Sequence, residues 1–250
     1  MKLIRFFLIL LVMSIAMFAN AQTVSKAKKI IIIDGYFFKE MPVGKQKISK
    51  IYMVKTASGA SAAGLELSEA LPENVLKYAI PVEKVPEGNL LLKKYNETKK
   101  NGNGHFAVPI GENKLNEGDK FPKFSATDVN GRTWTNADVK DKVMVLNLWF
   151  TGCGPCRREM PELSTWKDEM PDVMFFSSTY ENAKTALPVL EAQKFNWIPI
   201  VNDTQFVEFV GANGYPVTIV IDKNGIVAKV EYGTSVIQRA ELKEKIQSLR

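Results

Sequence analysis

Histidine and cysteine are both scarce in this chain of 250 residues, which holds one histidine, His105, and two cysteines, Cys153 and Cys156. A single imidazole leaves Ser-His or Cys-His catalysis resting on His105 alone, and a surface or packing role is the simpler reading of it. Tetrahedral zinc bound by cysteine and histidine needs four ligands, more than the chain offers, so no metal site is expected. Runs of like charge are missing too. No five or six stand together, and the short basic stretch Lys26 to Lys29 reads as a solvated segment. With a formal charge of only +6, a nucleic-acid partner is not expected. The one long apolar run, Phe6 to Phe18, is shorter than the roughly 20 residues that span a bilayer.

What is present begins with that run. Lys2 and Arg5 precede it and Ala19-Asn20-Ala21 follows it, the arrangement of a secretory signal peptide over residues 1–21. Cleavage after Ala21 leaves Gln22, not a cysteine, at the new terminus, so neither a lipid anchor nor any other stable membrane anchor is expected. The mature chain should be soluble in the periplasm or another extracytoplasmic compartment. Hydrophobic content of 46% with 24% charged residues suits a packed globular protein.

The rest divides at about Lys114. In residues 22–114, Ile30 to Ile33 and Tyr36 to Phe38 read as strands joined by Asp34-Gly35, and Ile48 to Val54 as a third. Ala57 to Gly64 reads as a small-residue loop, and Leu65 to Ala79 has helical character broken by Pro72. Asn101-Gly102-Asn103-Gly104 marks a turn or linker. No chemical motif stands out there, and the region's role stays open. Residues 115–250 alternate strand and helix: Val143 to Phe150, Cys156 to Met170, Val173 to Ser178 and Ala183 to Phe195 come first. Asp203 to Phe209 is a further short helical candidate. Val217 to Asp222 and Ile226 to Tyr232 flank Asn224-Gly225 as a hairpin, and Gln238 to Leu249 closes the chain as a helix with Leu242, Ile246 and Leu249 on one face. The fold class expected is α/β, a central mixed sheet flanked by helices after a small β-rich region.

Cys153-Gly154-Pro155-Cys156 falls where a buried strand gives way to a helix. Unpaired N–H groups and the macrodipole at a helix start favour an anion, so Cys153 should be the attacking thiolate. Cys156, one turn further in, would resolve the mixed disulfide, and Pro155 fits the first turn because it lacks an N–H. An exported pair is by default a structural disulfide, but a loop this short constrains the unfolded chain little. The alternative stays open at this point: a binding or assembly factor in which residues 22–114 dock a partner and the disulfide is a staple. A peroxidase on a related scaffold would need threonine or serine three residues before its cysteine, and Phe150 stands there.

The block from Val143 to Leu163, with Trp149, Cys153-Gly-Pro-Cys156 and Pro161, resembles the active-site segment of the thioredoxin superfamily, in particular the TlpA/ResA-like extracytoplasmic thiol-disulfide oxidoreductases. Gly118 to Pro122 and Asp128 to Gly131 resemble that group's entry segment, so the likeness covers about Leu115 to Arg250. It implies a thioredoxin-like fold, a reversible Cys153–Cys156 disulfide as the catalytic pair, and a cis proline at Pro216 within Gly214-Tyr-Pro-Val-Thr218. It also implies that Trp149 packs beneath the site, that Pro161 kinks the helix, and that Tyr215, Pro216 and Trp149 serve substrate binding. Activity would be reduction of protein disulfides with no cofactor, fed by a membrane-bound electron donor. Two departures stand out. Gly152 replaces a tryptophan common just before the first cysteine, removing one substrate-facing aromatic. Asn147 stands where thioredoxin proper has a buried aspartate, and an amide cannot be a general base. Glu159 is expected on the wrong part of the helix to replace it, so no proton acceptor for Cys156 is assigned.

Overall fold

The computed structural model describes residues 30–102, 104–106 and 114–250. The expected signal peptide over 1–21, the basic stretch Lys26 to Lys29 and Asn103 lie outside them. At Asp34-Gly35 both residues take positive φ, 48° and 86°, the backbone that a tight hairpin turn between twisted strands requires. That turn joins β1 (Ile30–Ile33) to β2 (Tyr36–Phe38). The next strands, β3 (Ile48–Lys55) and β4 (Ser61–Leu67), pair antiparallel, and β4 also runs parallel to β1. A helix, α1 (Gly88–Lys100), and the short β5 (His105–Phe106) complete a sheet of order β2-β1-β4-β3-β5.

Alternation along the first hairpin decides what each face buries. Ile32 and Phe37 join Tyr52, Val54, Leu91 and Tyr95 beneath α1. Ile33 and Phe38 turn the other way and meet Leu65, Val75 and the distant Ile237. Two expectations change here. Ala57 to Gly64 is not wholly a loop, since Ser61 already opens β4, and the helical character over Leu65 to Ala79 shrinks to a 3-10 segment at Glu73–Tyr78. The small residues are what the sheet needs at this point: a Cβ on Gly64 would overlap the Tyr95 ring. Leu65 belongs to the strand because its side chain is buried with Ile33 and Phe38. The helix α1 was not foreseen, because most of its surface is charged and Leu91 and Tyr95 are its only large buried side chains.

The second part begins with a hairpin, β6 (Ser125–Thr127) and β7 (Thr133–Thr135). Asp128 builds its turn, accepting from the N–H groups of Asn130 and Arg132 and from the Trp134 indole. The sheet that follows has the order β10-β9-β8-β11-β12. Its members are β8 (Met144–Leu148), β9 (Met174–Ser178), β10 (Ile198–Ile200), β11 (Val217–Ile221) and β12 (Val227–Tyr232). The first three run parallel, so each step needs a crossover: α2 (Gly154–Glu169) and α3 (Ala183–Ala192) supply them. The last two strands are antiparallel neighbours on the other side of β8. The expected helical candidate after Asp203 is a 3-10 segment at Phe206–Asn213, and the chain ends in α4 (Val236–Leu249).

Every residue of β8 is buried. Met144, Leu146 and Leu148 face a cluster with Trp134, Phe176 and Phe206, while Val143 and Val145 face one with Met160, Trp166, Leu190, Leu242 and Ile246. The three helices α2, α3 and α4 all contribute to the second cluster, and the first is closed by the β6–β7 hairpin and the 3-10 segment. The β1–β5 unit sits against the start of α4. Ile237 is buried in its cluster, the Ser235 hydroxyl donates to the Met41 carbonyl at 2.7 Å, and the Val236 N–H donates to the Glu40 carboxylate at 2.7 Å.

Candidate redox site

Leaving β8, the chain runs Trp149-Phe150-Thr151-Gly152 and turns into α2, with the Cys153 N–H donating to the Phe150 carbonyl at 3.0 Å. Cys153 is the N-cap of α2, with extended backbone, and Pro155 occupies the first turn. Cys153 and Cys156 form a disulfide, with Cα atoms 5.3 Å apart. The Cys153 sulfur accepts the Cys156 N–H at 3.2 Å, so the atom that would be a thiolate in the reduced form already receives one of the helix's free donors. Cys153 keeps 5% exposure and Cys156 none. Of the two residues only Cys153 keeps any exposure.

The loop before Cys153 is held from the neighbouring strand. Thr151 donates to the Glu181 carboxylate from its N–H and from its hydroxyl, both at 2.7 Å. Hydrogen bonds to a charged partner are roughly twice as strong as neutral ones, so this clamp fixes the entry to α2. Glu181 has no sequence signal: it lies 30 residues from Thr151, and only the parallel pairing of β8 with β9 brings the ends of the two strands together.

Glu159 is the larger correction. Far from lying on the wrong part of α2, it is 2% exposed, on the face that carries Cys156 into the core. Residues three apart on a helix are neighbours on one face, which is the spacing of Cys156 and Glu159. The Asn147 amide donates to the Glu159 carboxylate at 2.9 Å and to the Thr218 hydroxyl at 3.1 Å. Burial pushes the Glu159 carboxyl up to about 7, and the hydrogen bonds from Thr234 and Asn147 and the charge of Arg239 only partly oppose it. A carboxyl that exchanges its proton near neutrality thus sits one turn beyond the second cysteine.

Tyr215-Pro216 is a cis peptide bond, as the resemblance implied. Pro216 is buried and Tyr215 half-buried, and Tyr215 packs against the cluster that holds both cysteines. Among the described residues no hydrogen bond engages the Tyr215 backbone. Trp149 lies in the same cluster with 0% exposure, and its indole N–H has no partner among the described residues. Direct contact with a substrate is closed to it, which narrows its expected binding role to supporting the pair from beneath. Pro161 stands inside α2, which continues to Glu169, so it does not end the helix. Of His105 only the backbone is described, in β5.

A parallel strand, a disulfide at the start of the crossover helix and an antiparallel strand beside it define a thioredoxin-like protein. Comparison with known proteins agrees. The family described as Redoxin matches residues 116–246. The chain is 31% identical over 140 residues to the thiol-disulfide oxidoreductase ResA of Geobacillus thermodenitrificans, covering 53% of this chain and 78% of that protein. It is 30% identical to the thiol:disulfide interchange protein DsbE of Pseudomonas fluorescens, over 53% of this chain and 76% of that one. A crystal structure titled as a thiol:disulfide interchange protein DsbE from Chlorobium tepidum overlaps 54% of this chain and 99% of its own length, with a TM-score of 0.50 and 22% identity, and shows the shared fold. The chain belongs to the Redoxin family, as a TlpA/ResA-like member of the thioredoxin superfamily. It is a thiol-disulfide oxidoreductase. The β1–β5 unit lies outside the match.

Proposed function

We propose that the chain is an exported disulfide reductase of protein substrates, with Cys153 as nucleophile and Cys156 as resolving thiol. The observation that carries this reading is the asymmetry of the pair: the Cys153 sulfur caps α2 and that residue keeps 5% exposure, while Cys156 is fully buried. The reduced protein begins with two thiols. The Cys153 thiolate attacks a substrate sulfur, a mixed disulfide forms, and the first substrate thiolate leaves. Cys156 gives its proton to Glu159 and attacks Cys153, the second substrate thiolate leaves, and the protein is oxidised by two electrons. The two protein-derived protons end on the substrate thiols. Tyr215, whose backbone groups are engaged by no hydrogen bond among the described residues, pairs with the substrate chain beside the sulfur, and Trp149 supports the pair from below.

The reducing direction rests on the likeness to the TlpA/ResA-like group, as do export and a membrane-bound dithiol donor that restores the reduced pair. Residues 1–21 are then the removed leader, 22–114 a unit for partner choice and 115–250 the redox domain. No helix among the described residues is long and apolar enough to cross a membrane. The test is insulin-type disulfide reduction with Cys156→Ser in parallel. The wild type should turn over, and the variant should accumulate a mixed disulfide through Cys153. A wild type that reduces no protein disulfide refutes the reading.

A further inference from the structure

Gly152 leaves the position before Cys153 without a side chain, yet the space is not empty. A Cβ there would come within 2.8 Å of the Phe150 ring. The ring of Phe150 thus lies over the residue that leads into the nucleophile. It meets Tyr215 edge-on, with centroids 5.1 Å apart, and stacks on Tyr180 at 6.3 Å, and Tyr180 and Tyr215 lie 6.4 Å apart. The three rings come from the ends of β8 and β9 and from the turn before β11. Tyr180 is 48% exposed, and Phe150 and Tyr215 are half-buried.

The carboxylates next to these rings are already engaged. The Glu181 carboxylate is taken by Thr151, and the Asp203 carboxylate accepts from Ser178 and from the N–H groups of Gln205, Phe206 and Val207. Besides the Tyr180 and Tyr215 hydroxyls, what the surface offers to a neighbour is the faces and edges of rings. Aromatic rings favour other aromatic or large apolar side chains in stacked or edge-on contact. The occupant is set by the reaction: Phe150 and Tyr215 pack against the cluster that holds Cys153, so a chain segment that brings a disulfide to Cys153 comes beside this patch.

We infer that Phe150 and Tyr180, with Tyr215, form a specificity surface that selects protein disulfides whose cysteine is flanked by an aromatic or large apolar residue. The inference rests on the disulfide-reductase reading and adds to it the class of client sequence. Phe150 takes over the substrate-facing aromatic surface that Gly152 does not provide, and Tyr180 extends it beyond the half-buried Tyr215.

The test is single-turnover oxidation of the pre-reduced full chain by peptide disulfides that differ only in the residue beside the cysteine: phenylalanine, serine or lysine. Glutathione disulfide serves as a control for the chemistry. The wild type should react about three- to tenfold faster with the phenylalanine peptide than with the serine peptide, the range expected from one aromatic contact. Tyr180→Ala should bring that ratio close to one. So should Gly152→Ala, whose methyl group displaces the Phe150 ring, and Phe150→Leu should keep part of the preference. Equal wild-type rates with phenylalanine and serine, or a fastest reaction with lysine, overturn the inference while leaving the reductase reading in place. A preference unchanged in Tyr180→Ala and Gly152→Ala overturns it as well. A wild type inert toward every disulfide, glutathione disulfide included, removes the reductase reading itself.

Discussion

Replacing Glu159 by glutamine should make the protein more stable and slower, and the size of the first effect follows from burial. In the folded chain the Glu159 carboxyl holds its proton up to about 7, against an ordinary value of 4.5. Below pH 4.5 it is protonated in both folded and unfolded chains and has no pH-dependent effect. As the pH rises toward 7 the unfolded chain loses the proton first, so stability falls across that window and the loss is complete above it. That gap amounts to about 3 kcal/mol at pH 8. Glutamine has the same shape and no charge. Its carbonyl can still accept from Asn147, and its amide can donate to the Asn147 carbonyl oxygen, which has no partner among the described residues. The assay is urea unfolding of the oxidised wild type and Glu159→Gln from pH 4 to pH 8. At a slope of about 2 kcal/mol/M the variant's midpoint should be higher by about 1.5 M at pH 8 and equal at pH 4. Burial also raises the Glu231 carboxyl, but it is common to both proteins and cancels in the difference. With its proton acceptor removed, the variant should resolve mixed disulfides about a hundredfold more slowly. Equal midpoints at pH 8, or a difference that persists at pH 4, would refute the reasoning.

Other perturbations test separate links. In the reduced protein, alkylation at mildly acidic pH should label Cys153 before Cys156, because only Cys153 keeps any exposure and its sulfur accepts a helix N–H; the opposite order would reverse their roles. Glu181→Ala removes both Thr151 bonds and should cost about 2 kcal/mol in chemical denaturation, with slower attack by Cys153; an unchanged midpoint would show that the clamp is not what holds the loop. Gly64→Ala should destabilise the β1–β5 unit by about 1 to 3 kcal/mol through overlap with Tyr95, read as loss of its unfolding transition at a lower urea concentration. A chain starting at Lys114 should fold and keep disulfide-reductase activity. Exposing Ile237 alone should lower its stability by about 1.5 to 3 kcal/mol, with the lost bonds to Ser235 and Val236 adding to that, and loss of cooperative unfolding would join residues 22–114 to the same core.

The parts of the fold that were legible were those whose pattern is local. β8 reads as a buried strand because Asn147 is the only polar residue in it, and the Asn224-Gly225 hairpin is announced by its own turn. The Cys153-Gly-Pro-Cys156 site was legible for the same reason: strand end, cap, proline and second cysteine lie within a few residues. α1 was hidden because its buried stripe is only Leu91 and Tyr95, and β4 because alanine and glycine carry no strand preference until Tyr95 packs over them. Glu159 is expected on the wrong part of the helix, although the three-residue step from Cys156 is the signal that it shares the buried face. Glu181 and Tyr180 gave no signal, since their neighbours Thr151 and Phe150 reach them only through the pairing of β8 with β9. Contact between the β1–β5 unit and Ile237 is likewise visible only once the chain is folded.

The central claim is that the Cys153–Cys156 pair is a working redox couple and not a staple. Its reduction potential, measured by equilibrating the full chain with dithiol buffers of known poise and quantifying free thiols, tests that directly. A working reductase should lie above about −300 mV, within reach of a dithiol donor, and both cysteines should titrate together as one two-electron couple. A potential well below that value, with no exchange toward protein disulfides, would make the disulfide structural and contradict the account.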